Sequence, residues 1–429
     1  MSSREALSAQ ASTTTGITRQ QWKWAALAGM ASYLDAGSIV ALGAGLPLFQ
    51  EMMGLSGLAV GALAAIGPNA IGCAIGAFIG GRLGDKLGRK RIYKWDLLVY
   101  AFGILLIAAS ANPAMLFIGT FIVGVAVGAD VPTSLALVGE ISPARSRGRL
   151  VGFTQVAWSL GPVVVLLMAL AVAPLGVLGI RLVFLQLFLV AIVTWALRRG
   201  ITESTVWQSA ASTATTAGTK FAALFRGANL KALLWTGSIY TFWGVAAGTA
   251  GIFTPYIVKT LDAGSQAAGV ALACAQFSIS IVVIIFVVMR YSDSTYRARR
   301  LMWGIGSIMS VVAYGLFLVF PFTVPLVLAN VILFGIGGTI AGEATYKTFS
   351  QELFPTMLRS TAQGFTFGVA RVLLGIWSFF VPVLAAAGIG LVGLLLAAFL
   401  AIAGFIGYAY MPDTVGKSLE EIEQERAVA

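Results

Sequence analysis

A charged side chain inside a long apolar run is costly when it is unpaired, and four such side chains of this sequence are candidates for function. Asp35, Asp130 and Glu343 are acids, and Arg371 is a base. A charged group in hydrocarbon must face water or an opposite charge, and it commonly marks a path for protons or solutes. Because a carboxyl group can bind and release a proton, we predict proton coupling at these three acids, with Asp35 as the main site.

The same residues also have simpler interpretations. Asp35 can be a permanently hydrogen-bonded structural group, and Glu343 can pair with Lys347, which follows it by four residues on one helical face. Arg371 keeps its proton at ordinary pH, so it must meet an anion. That anion is either one of the three acids or a carboxylate of a substrate, and the sequence leaves both open.

The composition is typical of a membrane protein with many spans. Of 429 residues, 58% are hydrophobic and 10% are charged, and the mean hydropathy is +0.90. Histidine is absent, which argues against most metal sites and against histidine-based catalysis. We therefore expect no cofactor and no bound metal. Cys73 and Cys274 lie in apolar runs and are expected to be small core residues.

The apolar runs occur in two groups of six, and most approach the roughly 20 residues that a spanning helix needs. A polar linker from Arg198 to Leu230 separates the two groups, and the first 20 or so residues are polar. The runs lie at residues 24–48, 58–80, 95–111, 114–139, 150–173 and 178–197, and then at 231–258, 266–289, 301–320, 324–345, 361–386 and 388–410.

The basic residues predict the orientation of these spans. With both termini inside, the 28 Lys and Arg residues fall almost entirely in cytoplasmic segments, where Lys347 is counted with the loop at Arg359. The exceptions are Arg181 and Lys259 on the outer side and Arg371 within a span. We therefore interpret the net charge of +11 as topological, and we expect no nucleic-acid partner.

The loop between the second and third runs has a specific pattern, GRLGDKLGRKR, at residues 81–91. Its glycines let two helix ends approach and the chain bend, its aspartate can cap a helix, and its bases favour one membrane face. A simple basic loop would explain the bases but not the spacing of the glycines and the aspartate. The residues expected to act together are Gly81, Gly84, Asp85, Gly88, Arg89 and Arg91.

The second half of the chain repeats patterns of the first half in register. The repeated patterns are D-x-x-x-R-x-R, with Asp85, Arg89 and Arg91 matched by Asp293, Arg297 and Arg299, E-x-x-P-x-x-x-R, from Glu140 to Arg147 and from Glu352 to Arg359, and G-F-T, at Gly152 and Gly364. An internal duplication predicts two similar helical bundles with a binding site between them.

These loops resemble signatures of the major facilitator superfamily. Residues 81–91 match the pattern G-x-L-[GAS]-D-[RK]-x-G-R-[RK]-[RK] at every specified position, and EISPARSRG matches E-x-x-P-x-x-x-R-G. The resemblance implies an all-α membrane protein with twelve transmembrane helices in two pseudo-symmetric six-helix bundles. It also implies transport by alternating access through a site near the bilayer midplane.

The resemblance implies that the charged loops act as a conformational latch. Opposite charges at neighbouring helix ends can pair while one side is shut, which biases the protein towards the state that faces the other side. Static anchoring of the loops is the alternative. Glu203, in TESTVW, resembles the acid of the PESPRW element of sugar porters and is expected to contribute less. Beyond the first loop, the expected latch residues are Glu140, Arg147, Glu203, Asp293, Arg297, Glu352 and Arg359.

Resemblance to sugar porters and metabolite:proton symporters also suggests a substrate site. Gln155 lies where sugar porters carry a glutamine that bonds substrate hydroxyls, and an amide both donates and accepts. Asp35 resembles the helix 1 aspartate of proton symporters, but Thr120 stands where sugar porters have its arginine partner. Aromatic residues nearby can contact substrate or simply pack. The predicted substrate-binding residues are Gln155, Trp158, Tyr240, Trp243 and Arg371.

The sequence therefore predicts a proton-coupled symporter of a sugar, polyol or similar metabolite in the cytoplasmic (inner) membrane. A symporter of a small organic acid and a proton-driven exporter are the alternatives, while no catalytic cluster or effector domain supports an enzyme or a receptor. The expected partners are a small-molecule substrate, protons and the lipid bilayer, and we expect a monomer. The predicted segments are a disordered cytoplasmic tail at 1–22, bundles at 23–198 and 231–410, a cytoplasmic linker at 199–230 and a cytoplasmic tail at 411–429.

Overall fold

The computed structural model describes residues 16–93, 95–213 and 221–428, and these residues contain helices and no strands. The prediction of an all-α membrane protein is confirmed. Nine helices in the described part are long and apolar enough to cross a membrane. The prediction of a disordered tail falls mainly on residues 1–15, which lie outside the described residues.

The long helices are labelled α1 to α12 in chain order. The first six are α1 (Arg19–Met53), α2 (Ile71–Leu87), α3 (Asp96–Ala108), α4 (Pro113–Ile141), α5 (Arg147–Ala171) and α6 (Val177–Arg198). The others are α7 (Gly227–Thr260), α8 (Gln266–Val283), α9 (Tyr296–Val319), α10a (Val324–Ile340) with α10b (Glu343–Glu352), α11 (Arg359–Ala387) and α12 (Ile389–Ala409). Short α-helices lie at Gly57–Ile66, Arg89–Tyr93, Thr205–Thr213, Met289–Tyr291 and Leu419–Val428, and a π-helix at Ile284–Val288 follows α8.

Two segment boundaries differ from the sequence prediction. The amino-terminal tail, expected to reach residue 22, gives way to α1 at Arg19 because Thr18 and Gln21 form a capping box. The linker at 199–230 contains the helix Thr205–Thr213. Trp207 of this helix donates from Nε1 to the Asp85 carbonyl oxygen at 2.9 Å, so the linker packs against the 81–91 loop.

The long helices form two bundles with the same packing order. In the first bundle, α1 packs against α5 and α6, and α3 packs against α4 and α6. In the second, α7 packs against α11 and α12, and α9 packs against α10a and α12. The bundles meet where α2 packs against α11 and where α5 packs against α8, two contacts related by the same repeat. The predicted pair of pseudo-symmetric bundles is therefore confirmed.

Glycines bring α2 within backbone contact of two neighbouring helices. A Cβ atom on Gly76 would lie 2.1 Å from the Val125 oxygen of α4, and one on Gly81 would lie 2.4 Å from the Ser360 oxygen of α11. No side chain fits at such distances. Small residues thus permit the close helix contacts on which packing inside a membrane depends.

Two spans are interrupted beside the interface between the bundles. Residues 67–70 separate the helix Gly57–Ile66 from α2, and Ala341 and Gly342 separate α10a from α10b. Irregular backbone at membrane depth is tolerated only where it is buried in protein or lines a cavity. The two breaks therefore indicate where a site can lie.

We predict that Gly76→Ala destabilises the first bundle by about 1–3 kcal/mol, because the added methyl group overpacks the contact with α4. Gly43→Ala is the matched control, since a Cβ at Gly43 meets nothing within 4 Å. Thermal unfolding of both variants in detergent measures the effect. Equal melting temperatures for the two variants would contradict the close contact of α2 with α4.

Candidate functional site

A cavity lies between the two bundles beside the helix breaks. Its volume is about 60 Å³, and a second cavity of about 50 Å³ shares its lining residues Trp158, Trp243, Phe277 and Glu343. The first cavity is bounded by α1, α5, α7, α8, α10b and α11, so both bundles contribute to it. Cavities of this size hold several water molecules. We treat the two cavities together as the candidate site.

An ion pair between the bundles forms part of this site. The Arg371 Nη2 atom of α11 lies 3.3 Å from Asp35 Oδ2 of α1, and both side chains are buried. Trp158 donates from Nε1 to the same oxygen at 3.1 Å, and Arg371 Nη1 donates to Asn69 Oδ1 at 3.1 Å. The other carboxylate oxygen of Asp35 has no hydrogen-bond partner in the described structure.

This geometry identifies the partner of Asp35. The sequence suggested no arginine for it on the fourth helix, where Thr120 stands, and Thr120 is buried there. Arg371 supplies the positive charge from the second bundle instead. Of the two interpretations of Arg371, the structure therefore corresponds to pairing with a protein acid.

A second polar group joins α5 to α10b. Gln155 Nε2 donates to Glu343 Oε2 at 2.9 Å, and Lys347 Nζ donates to Gln155 Oε1 at 2.7 Å. Lys347 Nζ also lies 3.3 Å from Glu343 Oε1, and the Tyr240 hydroxyl donates to that oxygen at 3.4 Å. Lys347, which we counted with the loop at Arg359, is thus buried beside the cavity, because Glu343 and Gln155 satisfy its charge.

Aromatic side chains form much of the remaining wall. Tyr240 stacks on Tyr346 with ring centroids 4.0 Å apart, and Trp158 lies 5.7 Å from Phe277 across the bundle interface. Trp243 donates from Nε1 to the Gly338 carbonyl oxygen at 2.9 Å, next to the break in the tenth span. The predicted substrate-binding residues all line one or both cavities.

Asp130 lies away from both cavities. It lies inside the first bundle, where Arg198 Nη1 is 2.8 Å from its Oδ2 atom and 3.5 Å from Asp96 Oδ2. Ser134 also donates to the Asp130 carboxylate. Asp130, predicted as a proton-coupling acid together with Glu343, therefore lies apart from the cavity that Glu343 lines, because Arg198 of α6 holds it within its own bundle.

At one face of the protein, Arg89 and Arg359 meet at the same acid. Arg89 lies 2.6 Å from Glu140 Oε1 and 3.1 Å from Asp85 Oδ1, and Arg359, from the second bundle, lies 3.2 Å from the same Glu140 oxygen. All four side chains are buried. Two positive charges of different bundles are thus held together by one carboxylate.

The second half of the chain contains a matching cluster, in which the position of the buried arginine is shifted by two residues. Arg299 lies 3.0 Å from Glu352 Oε2 and 3.6 Å from Asp293 Oδ1, and Arg147 of the first bundle lies 3.4 Å from Glu352 Oε1. Arg297, which the sequence repeat placed opposite Arg89, is exposed. The spacing in the second loop differs, so Arg299 occupies the buried position and the assignment of Arg297 is corrected.

The two aspartates of these loops also cap helices of the opposite bundle. Asp85 accepts hydrogen bonds from the N–H groups of Ser360 (3.2 Å) and Thr361 (2.7 Å), near the start of α11. Asp293 accepts from Gly148 N (2.9 Å) and from the next N–H group (2.8 Å), near the start of α5. Negative charge is favoured at helix N-termini. Burial raises the pKa of the Asp293 carboxyl, although the neighbouring guanidinium acts in the opposite direction.

Glu203 contacts the 81–91 loop directly. Its carboxylate accepts from the N–H groups of Arg89 and Lys90, both at 3.1 Å. Gly88 has φ +93°, and a Cβ there would lie 2.4 Å from Glu203 Oε2, so glycine is required for this contact. Arg91 is exposed. We call the interbundle set the latch: Asp85, Arg89, Glu140, Arg147, Asp293, Arg299, Glu352 and Arg359.

Sequence reasoning missed several lining residues. Asn69 reaches the cavity because the second span breaks at Gly67 and Pro68, and a Pro-Asn pair inside an apolar run is the signal for it. Gln276, Ser280 and Thr339 line the second cavity, but single polar residues in apolar runs give no comparable signal.

Comparison with known proteins agrees with this architecture. Residues 25–382 match the profile of the Major Facilitator Superfamily. The chain is 37% identical over 407 residues to the minor myo-inositol transporter IolF of Bacillus subtilis (strain 168), covering 93% of this chain and 92% of that protein.

Solved structures show the same fold. The proton:xylose symporter XylE, bound to 6-bromo-6-deoxy-D-glucose, superposes with a TM-score of 0.80 at 18% identity, covering 94% of this chain and 98% of XylE. FucP in the outward conformation superposes with a TM-score of 0.69 at 16% identity, covering 89% of this chain and 97% of FucP. The twelve-helix major facilitator fold is confirmed, and the chain belongs to the Major Facilitator Superfamily.

Proposed function

We propose that this protein is a secondary active transporter that moves a neutral polyol across a membrane by alternating access, driven by symport with protons. It is not an enzyme, as its relatives are transporters. Two relatives support the proposal. IolF is a myo-inositol transporter, and XylE is a proton:xylose symporter.

The charged side chains at the cavity pair with one another, and this pairing supports a neutral substrate. Arg371 pairs with Asp35, and Lys347 pairs with Glu343. No cation among the described lining residues is left for a substrate carboxylate. The second cavity instead offers amides, hydroxyls and indole rings, which suit a polyol that both donates and accepts hydrogen bonds. A small organic acid is therefore the less favoured substrate.

Asp35 is the proposed proton site. Its carboxylate belongs to the first bundle and its arginine partner to the second, so protonation weakens a contact between the two bodies that must move. Its second oxygen is free to receive the proton. A change of charge that favours one arrangement of the bundles over the other is what coupling requires. Glu343 can serve as a second site, since it lines both cavities.

The latch supports a specific orientation. The latch loops are strongly basic, since residues 81–91 alone contain five Lys and Arg residues, so we place the latch face and both termini in the cytoplasm. We place the protein, as a monomer, in the inner membrane. The latch pairs are formed here, which corresponds to a state closed on the cytoplasmic side. We infer bundles at 23–198 and 231–410 that rock about the central site.

We predict that Asp35→Asn abolishes polyol accumulation driven by a pH gradient while exchange of labelled for unlabelled substrate continues. The amide cannot carry the proton, but it preserves the shape of the site. Uptake and counterflow in proteoliposomes measure the two activities. Asp413→Asn, at an exposed position, is the matched control. Accumulation that survives in Asp35→Asn would remove this residue from the coupling role.

The pairing of Arg371 has its own test in stability. Arg371→Gln and Asp35→Asn each leave one buried charge unpaired, so we expect each to cost about 3–5 kcal/mol and the double variant to recover most of that loss. Melting temperatures in detergent measure the cycle. Lys417→Gln, which removes an exposed pair with Glu425, should cost at most about 1 kcal/mol. Additive losses in the double variant would mean that the two side chains do not pair.

For the latch, we predict that Asp85→Asn shifts the protein towards the state open at the latch face, because the neutral amide caps α11 less well. A cysteine at Ser360, buried between α2 and α11, reports the opening. Its labelling rate should rise on the order of tenfold, since a hydrogen bond to a charged group is worth about 1.5–3 kcal/mol. Unchanged labelling, as in the Asp413→Asn control, would favour static anchoring.

A further inference from the structure

The second part of the tenth span has a polar composition for a fully buried helix. α10b reads EATYKTFSQE, and all its residues are buried. Glu343, Lys347 and Gln351 follow one another at four-residue spacing, so they form a polar stripe along one helical face. Polar residues inside membrane spans commonly line a solute path. The stripe leads from the cavity, at Glu343, towards the latch, at Glu352.

The stripe ends on a pair of buried amides. Gln351 donates from Nε2 to Gln363 Oε1 of α11, and both side chains are completely buried. Gln351 also packs against the first bundle, since a Cβ on Gly139 of α4 would lie 2.8 Å from Gln351 Cβ. Neither amide is among the lining residues of the two cavities. The pair therefore lies in the closed half of the interface, between the cavity and the latch.

Four buried polar atoms, two on this pair and two elsewhere on α4 and α11, have no hydrogen-bond partner in the part of the chain that the structure describes. They are Gln351 Oε1, Gln363 Nε2, Ser360 Oγ and Glu140 Oε2. Burying a polar atom without a hydrogen-bond partner is unfavourable, so these four atoms need an explanation. The four include acceptors, an amide donor and a hydroxyl that does both. That combination matches the hydroxyl groups of a polyol.

We propose that Gln351 and Gln363 form an inner subsite that binds substrate hydroxyls after the latch opens and before the substrate is released. This inference rests on the proposed function, because it takes polyol transport as given. Opening the latch moves α4 away from Gln351, which exposes both amides to the path. The substrate then exchanges its contacts in the cavity for contacts with the amide pair.

The distance between the two sites implies that they are occupied in turn. Gln351 follows Glu343 by eight residues, which corresponds to about 12 Å along a helix. A single six-membered polyol ring does not span that distance. The inner subsite therefore acts on the latch side of transport only, and this asymmetry makes it testable apart from the central cavity.

The test measures KM from each side of the membrane. Proteoliposomes of defined orientation are loaded or supplied with labelled myo-inositol, and zero-trans transport is compared for the unmodified protein, Gln351→Leu, Gln363→Leu and the double variant. We expect KM from the latch side to rise about fivefold in each single variant, as for the loss of one hydrogen bond. KM from the opposite side should stay unchanged.

Thr348→Val is the matched control on the same helix. Its hydroxyl is buried but donates to the Ala344 carbonyl oxygen at 3.0 Å, so its loss should change neither KM. Because Gln351 packs against Gly139, its replacement can also shift the latch itself. Calorimetric binding of myo-inositol in an Asp85→Asn background, with and without Gln351→Leu, separates the two effects, and we expect weaker binding only with the second change.

The outcomes distinguish this inference from the function on which it rests. Equal changes of KM on both sides, or a lower rate with both KM values unchanged, would mean that the amides hold only water or set the conformational equilibrium. Either result overturns the inner subsite and leaves polyol transport standing. No saturable myo-inositol transport by the unmodified protein would overturn the proposed function, and the inner subsite with it.

Discussion

The cost of charge inside a membrane is the constraint on which this structure depends. A buried charge must find a partner, and here the partners often belong to the other bundle, as for Asp35 with Arg371 and Glu140 with Arg359. Separating the two side chains of such a pair leaves each charge buried without a partner. The free-energy cost of that separation keeps the bundles together. The same penalty makes the contacts switchable, because a proton or incoming water changes it.

Close helix contact makes those pairs possible. Side chains of ordinary length meet across the interface only because α2 touches α11 through Gly81, where a Cβ would lie 2.4 Å from a backbone oxygen. Asp85 then reaches the N–H groups at the start of α11. The interface is therefore tightly packed near the latch, while it widens into cavities at the helix breaks. Opening one side requires the small-residue contacts and the charged contacts to separate together.

The sequence predicted the residue types of the site better than their partners. Apolar runs and an internal repeat predicted two groups of six spans, and the resemblance to the major facilitator superfamily implied their arrangement. Arg371 was predicted as a base inside a span, Trp158 as an aromatic residue of a span, and Gln155 from its resemblance to a glutamine of sugar porters. Pairing depends on how helices far apart in sequence pack. No spacing rule connects Asp35 to Arg371, or sends Asp130 to Arg198 and away from the cavity. The assignment of Arg297 was wrong for a related reason. The sequence repeat aligns Arg297 with Arg89, and only the burial of Arg299 shows that the pairing arginine lies two residues later.

The two layers of contact between the bundles differ in their number of ion pairs, and in the transport cycle that we propose this difference separates the steps. In the described structure one ion pair joins the bundles at the centre, between Asp35 and Arg371. The latch has two, Glu140 with Arg359 and Glu352 with Arg147, in addition to the caps formed by Asp85 and Asp293. In the proposed cycle, a proton on Asp35 weakens the central ion pair while the latch remains formed. Opening the latch in this cycle requires its contacts to separate together and water to take their place. In this proposal, substrate loading and substrate release occur at different times because they require different numbers of contacts to break.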